Sequence, residues 1–110
     1  MLNQARFEEL NNELSRIVNI LVNTYNPLKI ILFGSLVNGE VHDFSDIDLV
    51  IVKESDKSFY ERLEEVILLT MPKVGADILV YTPEEFESVQ DRLFFEEEIM
   101  KKGKVIYSVH

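Results

Sequence analysis

The 110-residue sequence predicts a mixed α/β (α+β) fold, with one sheet of about four strands flanked by helices. Three observations carry that prediction. Amphipathic stretches with apolar residues at three- and four-residue steps alternate with apolar runs too short for helices. The short runs are rich in isoleucine and valine, and several begin or end on Gly, Ser or Asp, where a chain enters or leaves a sheet. Finally, 46% hydrophobic and 28% charged residues over this length fit one ordinary globular core and are too few for two.

In chain order, Phe7, Leu10, Leu14, Ile17, Val18, Leu21 and Val22 define an amphipathic helix over roughly residues 4–25. Asn26-Pro27 ends it, because the residue before proline is pushed out of the helical region. Residues 29–33 form the first strand and residues 47–53 the second. Ser58 or Ser55 caps a helix over about 59–71 that turns Phe59, Leu63, Val66, Ile67 and Thr70 inward and closes at Pro72. The third strand runs from Ala76 to Tyr81. Thr82-Pro83-Glu84-Glu85 then opens a helix, with Thr82 as cap, proline in the first turn and Glu85 completing a capping box. Helical pattern continues over about 91–102, with Leu93, Phe94 and Ile99 to bury and Phe94-Phe95 readable either as core or as an exposed docking surface. Lys101-Lys102-Gly103 ends it, and residues 104–107 make a last strand. No repeat, low-complexity stretch or linker interrupts the chain, so residues 1–110 are expected to form a single domain.

Composition limits the partners. Eleven Lys and Arg against twenty Asp and Glu leave a net charge of −9, which repels a phosphate backbone and argues against direct nucleic-acid binding. Hard cations and a basic protein surface suit such a chain better. No apolar run approaches a membrane span, and no secretory leader is expected. The absence of cysteine excludes thiolate metal sites and agrees with an expected cytoplasmic location.

The informative segment runs from Lys29 to Val52. Gly34 and Ser35 close the first apolar run, and ten residues later the chain reads Asp46-Ile47-Asp48. A glycine leaving a strand lets a ligand approach the backbone, and the serine after it can offer hydroxyl and amide to a phosphate if a short helix starts there. Alternate strand residues share a face and stand roughly 6.6 Å apart, so both aspartates can converge on one cation. They occupy the mouth of an otherwise apolar strand, where charge is least expected. Asp77 likewise opens the third strand. Each feature alone has a blander reading: a capped turn, an edge residue, a strand end facing water. Together they fix strand directions. If Gly34-Ser35 and the aspartate pair share one site, the first two strands are antiparallel, and Asp77 makes the third parallel to the second through the 59–71 helix. The segment is neither a nucleophile elbow nor a Walker loop, since the second glycine of the one and the Gly-Lys-Ser/Thr of the other are absent. His42 in the loop before Asp46 is within reach of a substrate but reads more simply as a bystander, and His110 is terminal. Glu96-Glu97-Glu98 reads as a solvated helix face.

Gly-Ser, ten residues, then Asp-x-Asp resembles the signature of the nucleotidyltransferase superfamily with the DNA polymerase β-type fold. Ile-Leu-Phe-Gly-Ser and Ser-Asp-Ile-Asp-Leu-Val, with the later Ala-Asp-Ile-Leu-Val-Tyr-Thr-Pro-Glu-Glu-Phe and Lys-Lys-Gly-Lys-Val-Ile-Tyr, are similar to its small stand-alone branch, the minimal nucleotidyltransferases. The likeness spans about residues 28–107. It implies a polymerase β-like nucleotidyltransferase fold and a set of catalytic carboxylates. Asp46 and Asp48 become ligands of two magnesium ions, Asp77 the third metal ligand near the attacking hydroxyl, and Gly34 and Ser35 the triphosphate-binding residues. Where many members carry a basic residue after Gly-Ser, this chain has Leu36, Val37 and Asn38; Lys53 and Arg62 are candidate substitutes, read more simply as solvated surface charges. The resemblance further implies transfer of AMP from ATP to a hydroxyl of a partner protein, with the chain as antitoxin to a HEPN-domain toxin. The acceptor site is then supplied by that partner or by a second copy. Transfer to a small molecule such as an aminoglycoside, and a catalytically silent toxin-binding module, are the alternatives.

Overall fold

One strand has all but a single residue buried, and the molecule is arranged around it. In the computed structural model, which describes residues 2–109, β2 (Ile47–Val52) lies inside a four-stranded sheet, and Asp48 is its one residue not fully covered. Met1 and His110 fall outside the described residues. β1 (Lys29–Phe33) pairs antiparallel with β2, Phe33 opposite Asp48 and Lys29 opposite Val52. β3 (Ala76–Tyr81) pairs parallel with β2 on its other side, placing Asp77 level with Asp48. β4 (Lys104–Ser108) lies antiparallel along β1, with a register shift between Ile30 and Ile31, completing the order β3-β2-β1-β4. The predicted strand directions hold.

Both faces of the sheet are covered, which is why β2 reads as a nearly continuous apolar run. On one face α1 (Gln4–Thr24), the four-residue α2 (Ser35–Asn38) and α3 (Phe59–Thr70) pack Leu10, Leu14, Ile17, Leu21, Leu36 and Val66 against Ile30, Leu32, Ile47, Leu49, Ile51, Ile78 and Val80. On the other, α4 (Pro83–Val89) and a π-helical segment (Phe95–Lys101) bring Phe86, Phe95 and Ile99 onto Ile31, Val50 and Val52. Asp48 and Asp77, in step with Val50 and Leu79 along their strands, belong to this second face. Among the described residues no helix is long and apolar enough to cross a membrane.

The helix starts follow the predicted chemistry. Ser58 and Glu61 form one capping box and Thr82 and Glu85 a second, each satisfying two otherwise orphaned amides. α1 is capped by Asn3, whose side chain accepts from the Arg6 amide at 2.8 Å. The C-terminal region differs from expectation. Ile99 is buried as expected, but Leu93 and Phe94 are 77% and 63% exposed, and Phe95 is buried in their place. The chain turns between α4 and the π-helical segment, so the inward face restarts from Phe95 rather than continuing an earlier period. Arg62 and Lys53 are also not the solvated charges the sequence suggested. Arg62 is 2% exposed and donates to the Val80 carbonyl (3.2 Å), the Lys57 carbonyl (2.6 Å) and Glu85, tying α3 to β3 and α4. Lys53 donates to the Tyr25 carbonyl and lies over the Tyr25 ring at 4.6 Å.

A second polar staple crosses the other side. Glu13 on α1 accepts from Arg16 Nε (2.7 Å) and Nη2 (2.8 Å) and from the Lys73 amide (2.6 Å), while Arg16 Nη2 also donates to the Thr70 carbonyl at 2.6 Å. These bonds fix the 71–75 turn that leads into β3. They hold the buried Glu13 carboxyl down from 4.5 to about 2, the Arg16 hydrogen bond being the largest cause. A lowered folded-state value stabilises the fold above the unfolded value and is lost as pH falls toward the folded one. Glu13→Gln is therefore expected to cost on the order of 2 kcal/mol near neutral pH. In urea unfolding curves that deficit should shrink from pH 4.5 down to pH 2.

Candidate active site

The mouth of the sheet where β1 ends and β2 and β3 begin gathers three carboxylates by backbone geometry alone. Asp48 sits between Phe33 on β1 and Asp77 on β3, its direct partners in the two ladders. Asp46 lies one residue before β2, in a turn held from two directions. Arg6 on α1 donates from Nε and Nη2 to the Ser45 carbonyl at 3.1 and 2.9 Å, and its Nη2 stands 3.6 Å from Asp46 Oδ1. The preceding loop is tied to the same helix end, since the Asn3 amide donates to the Val41 carbonyl (2.7 Å) and Asn3 Nδ2 to Asp43 Oδ1 (2.7 Å). Val41 is buried beneath it, and Ser45 Oγ accepts from the His42 amide at 2.9 Å.

Two glycines make room for these side chains. Gly34 follows β1 at φ 79°, ψ −160°, a region essentially restricted to glycine, and a Cβ there would overlap the Asp48 carboxylate. A Cβ on Gly75 would overlap the Asp46 carboxylate, while the Gly75 carbonyl accepts from the Ile47 amide at 3.0 Å. Gly34 thus has a role that sequence reading missed: it seats an aspartate as well as opening the backbone. Ser35 begins α2, as expected, and Gly39 ends it in the left-handed conformation.

Electrostatics at the mouth are set by crowding. Burial, then the charge and hydrogen bond of Asp77 and the charge of Asp46, push the Asp48 carboxyl from 3.8 up to about 6. A divalent cation would relieve that cost. Among the described residues no group of three or more His, Asp or Glu side chains is placed to hold a metal ion. Magnesium seldom needs such a group, because it binds through one or two carboxylates and completes its shell with water and substrate phosphates. Asp48 and Asp77, level on paired strands, offer such an ion hard oxygen donors.

Beyond Gly34 lies a cleft of about 570 Å³, lined by Gly34, Ser35, Val37, Asn38, Glu40, His42, Glu98 and Lys102. Asp46, Asp48 and Asp77 are not among its lining residues. His42 is on the cleft wall, not aside from it as expected. Sequence reasoning also missed Arg6, Gly75 and Lys102 as neighbours of the site. Gly75, two residues before Asp77, carried the one local signal; Arg6 is linked to Ser45 across 39 positions and carried none. Gly75→Ala is expected to move the Asp46 carboxylate, a flexible group, rather than the backbone. The melting temperature should stay within about 4 °C of wild type. Affinity for Mn²⁺, followed by paramagnetic broadening at Asp46, should fall roughly tenfold.

Comparison with known proteins agrees with this architecture. None of the curated proteins compared matches the chain. Among solved structures, a candidate nucleotidyltransferase from Sulfolobus solfataricus, determined at 1.40 Å, superposes with a TM-score of 0.62 at 19% identity. The match covers 93% of this chain and 83% of that one, and at such identity it shows the fold. The family model described as Polymerase beta, Nucleotidyltransferase matches residues 15–110, which takes in all three aspartates, both glycines and the cleft. This chain is a member of the polymerase β-type nucleotidyltransferase family.

Proposed function

We propose that the protein transfers AMP from ATP to a hydroxyl group of a partner protein, with Asp46, Asp48 and Asp77 as the catalytic carboxylates. The observation that carries this reading is the level placement of Asp48 and Asp77 on paired strands, with Asp46 in the adjoining turn and Gly34-Ser35 across the mouth. Asp46 and Asp48 would hold two magnesium ions and Asp77 the one at the nucleophile. When bound, such ions lower the pKa of the attacking hydroxyl and neutralise the triphosphate. The chain's own residues position. Gly34 lets the phosphates approach the backbone, and Ser35 offers its hydroxyl and amide to them. Asp77, the most exposed of the three, is set to take the hydroxyl proton. The acceptor oxygen bonds to the α-phosphorus, the bond from that phosphorus to the bridging oxygen breaks, and pyrophosphate leaves.

A protein acceptor is supported by the surface around the site. Phe44, two residues before Asp46, is 94% exposed, an apolar ring left in water beside the carboxylates. The net charge of −9 suits a basic partner, and the partner we propose is a HEPN-domain toxin whose hydroxyl receives the AMP.

Incubation with α-labelled ATP, magnesium and a HEPN-domain protein is expected to label that protein. Asp46→Asn should lower labelling by roughly a thousandfold or more while the circular dichroism spectrum is unchanged. Wild-type labelling by that variant would remove Asp46 from the chemistry. Label found on an aminoglycoside with no protein partner would replace the proposed acceptor.

A further inference from the structure

A triphosphate needs positive charge besides any metal ion, and the helix after Gly34-Ser35 supplies none, since its residues are Leu36, Val37 and Asn38. Most of the chain's basic side chains are engaged elsewhere. Arg6 holds the Ser45 carbonyl, Arg16 holds Glu13, Lys53 holds the Tyr25 carbonyl and Lys57 holds Glu65. Arg62 is sealed under α4, and Lys101 lies between Glu96 and Glu97. Lys102 differs in position. Among the described residues it is the one Lys or Arg lining the cleft that Gly34 and Ser35 open onto.

Its surroundings suit an exchangeable cation. Lys102 Nζ stands 3.3 Å from Glu98 Oε1, and its side chain is 65% exposed, so the pair is solvated and holds the ammonium weakly. The backbone beneath is fixed. The amides of Lys102 and Gly103 both donate to the Ile99 carbonyl, and Ile99 is buried in the second core cluster. A Cβ at Gly103 would overlap that same carbonyl, so only glycine lets the chain turn so tightly into β4. An anchored Cα with a long, flexible, water-exposed ammonium can meet an incoming anion without rearranging the fold. The π-helical turn that sets this position is a form that recurs at functional sites. The cleft volume of about 570 Å³ falls in the range of small-molecule sites.

We propose that Lys102 is the triphosphate-binding cation of this protein, exchanging Glu98 for the β- and γ-phosphate oxygens when the nucleotide enters the cleft. The inference rests on the nucleotidyltransferase reading above, and its test separates the two. Calorimetric titration of wild type, Lys102→Met, Lys102→Arg and Lys101→Met with ATP plus magnesium, and with AMP, compares variants of known net charge. Lys102→Met should weaken ATP roughly tenfold, the effect of losing one charge-assisted contact, and leave AMP unchanged. Lys102→Arg should restore most of the affinity. Lys101→Met, which alters the net charge equally but lies off the cleft, should stay within about twofold of wild type. ATP binding by Lys102→Met equal to wild type, or an equal loss in Lys101→Met, overturns the role of Lys102 and leaves the nucleotidyltransferase reading intact. Failure of the wild-type protein to bind ATP with magnesium overturns both.

Discussion

The Asp48 carboxylate, set into the buried central strand beside Asp77, is the constraint on which the surrounding structure depends. Every other β2 residue is covered on its face of the sheet, so a charge there is held in a position that disfavours it. Burial and two neighbouring carboxylates raise its pKa to about 6, leaving it ionised at neutral pH at a cost in stability. The irregular features nearby accommodate that placement. Gly34 adopts a backbone conformation reserved for glycine and leaves its side-chain space to Asp48, and Gly75, in ordinary backbone conformation, leaves its side-chain space to Asp46. Residues that break local rules at one point of an otherwise consistent fold mark a functional site.

Remote parts of the chain hold the mouth in shape. The α1 N-terminus fastens the 40–46 loop through Asn3 and Arg6, and the middle of α1 fastens the 71–75 turn through Glu13 and Arg16. One helix therefore holds both the segment that delivers Asp46 and the turn that leads to Asp77. The second sheet face works differently. Phe95 and Ile99 anchor the π-helical segment in a small apolar cluster, and that anchorage aims Glu98 and Lys102 at the cleft beyond Gly34.

Much of this was legible in the chain. The capping box at Thr82 is local chemistry and appears as written, and of the two candidate caps for α3 it is Ser58 that serves, with Glu61 completing a second box. The strand directions followed from requiring Gly34, Asp48 and Asp77 to share one end of the sheet, and the pairing agrees. What escaped was set by tertiary contact. Arg62 looked like a surface charge because nothing local announces that the Val80 carbonyl and Glu85 will surround it. Leu93 and Phe94 looked like core because a helical period was carried across a break that the sequence does not punctuate with glycine or proline. Lys102 read only as a helix-ending charge, since its proximity to Ser35 arises from folding across most of the chain's length.

The most direct measurement is a carboxyl-detected NMR titration of Asp48, in the protein alone and with magnesium and ATP. If the three carboxylates are crowded at the sheet mouth and shared by a bound cation, Asp48 titrates at about 6 in the protein alone and moves below 3.8 when magnesium and ATP are present. Titration of Asp48 near 3.8 in the protein alone, unchanged by magnesium and ATP, would contradict it.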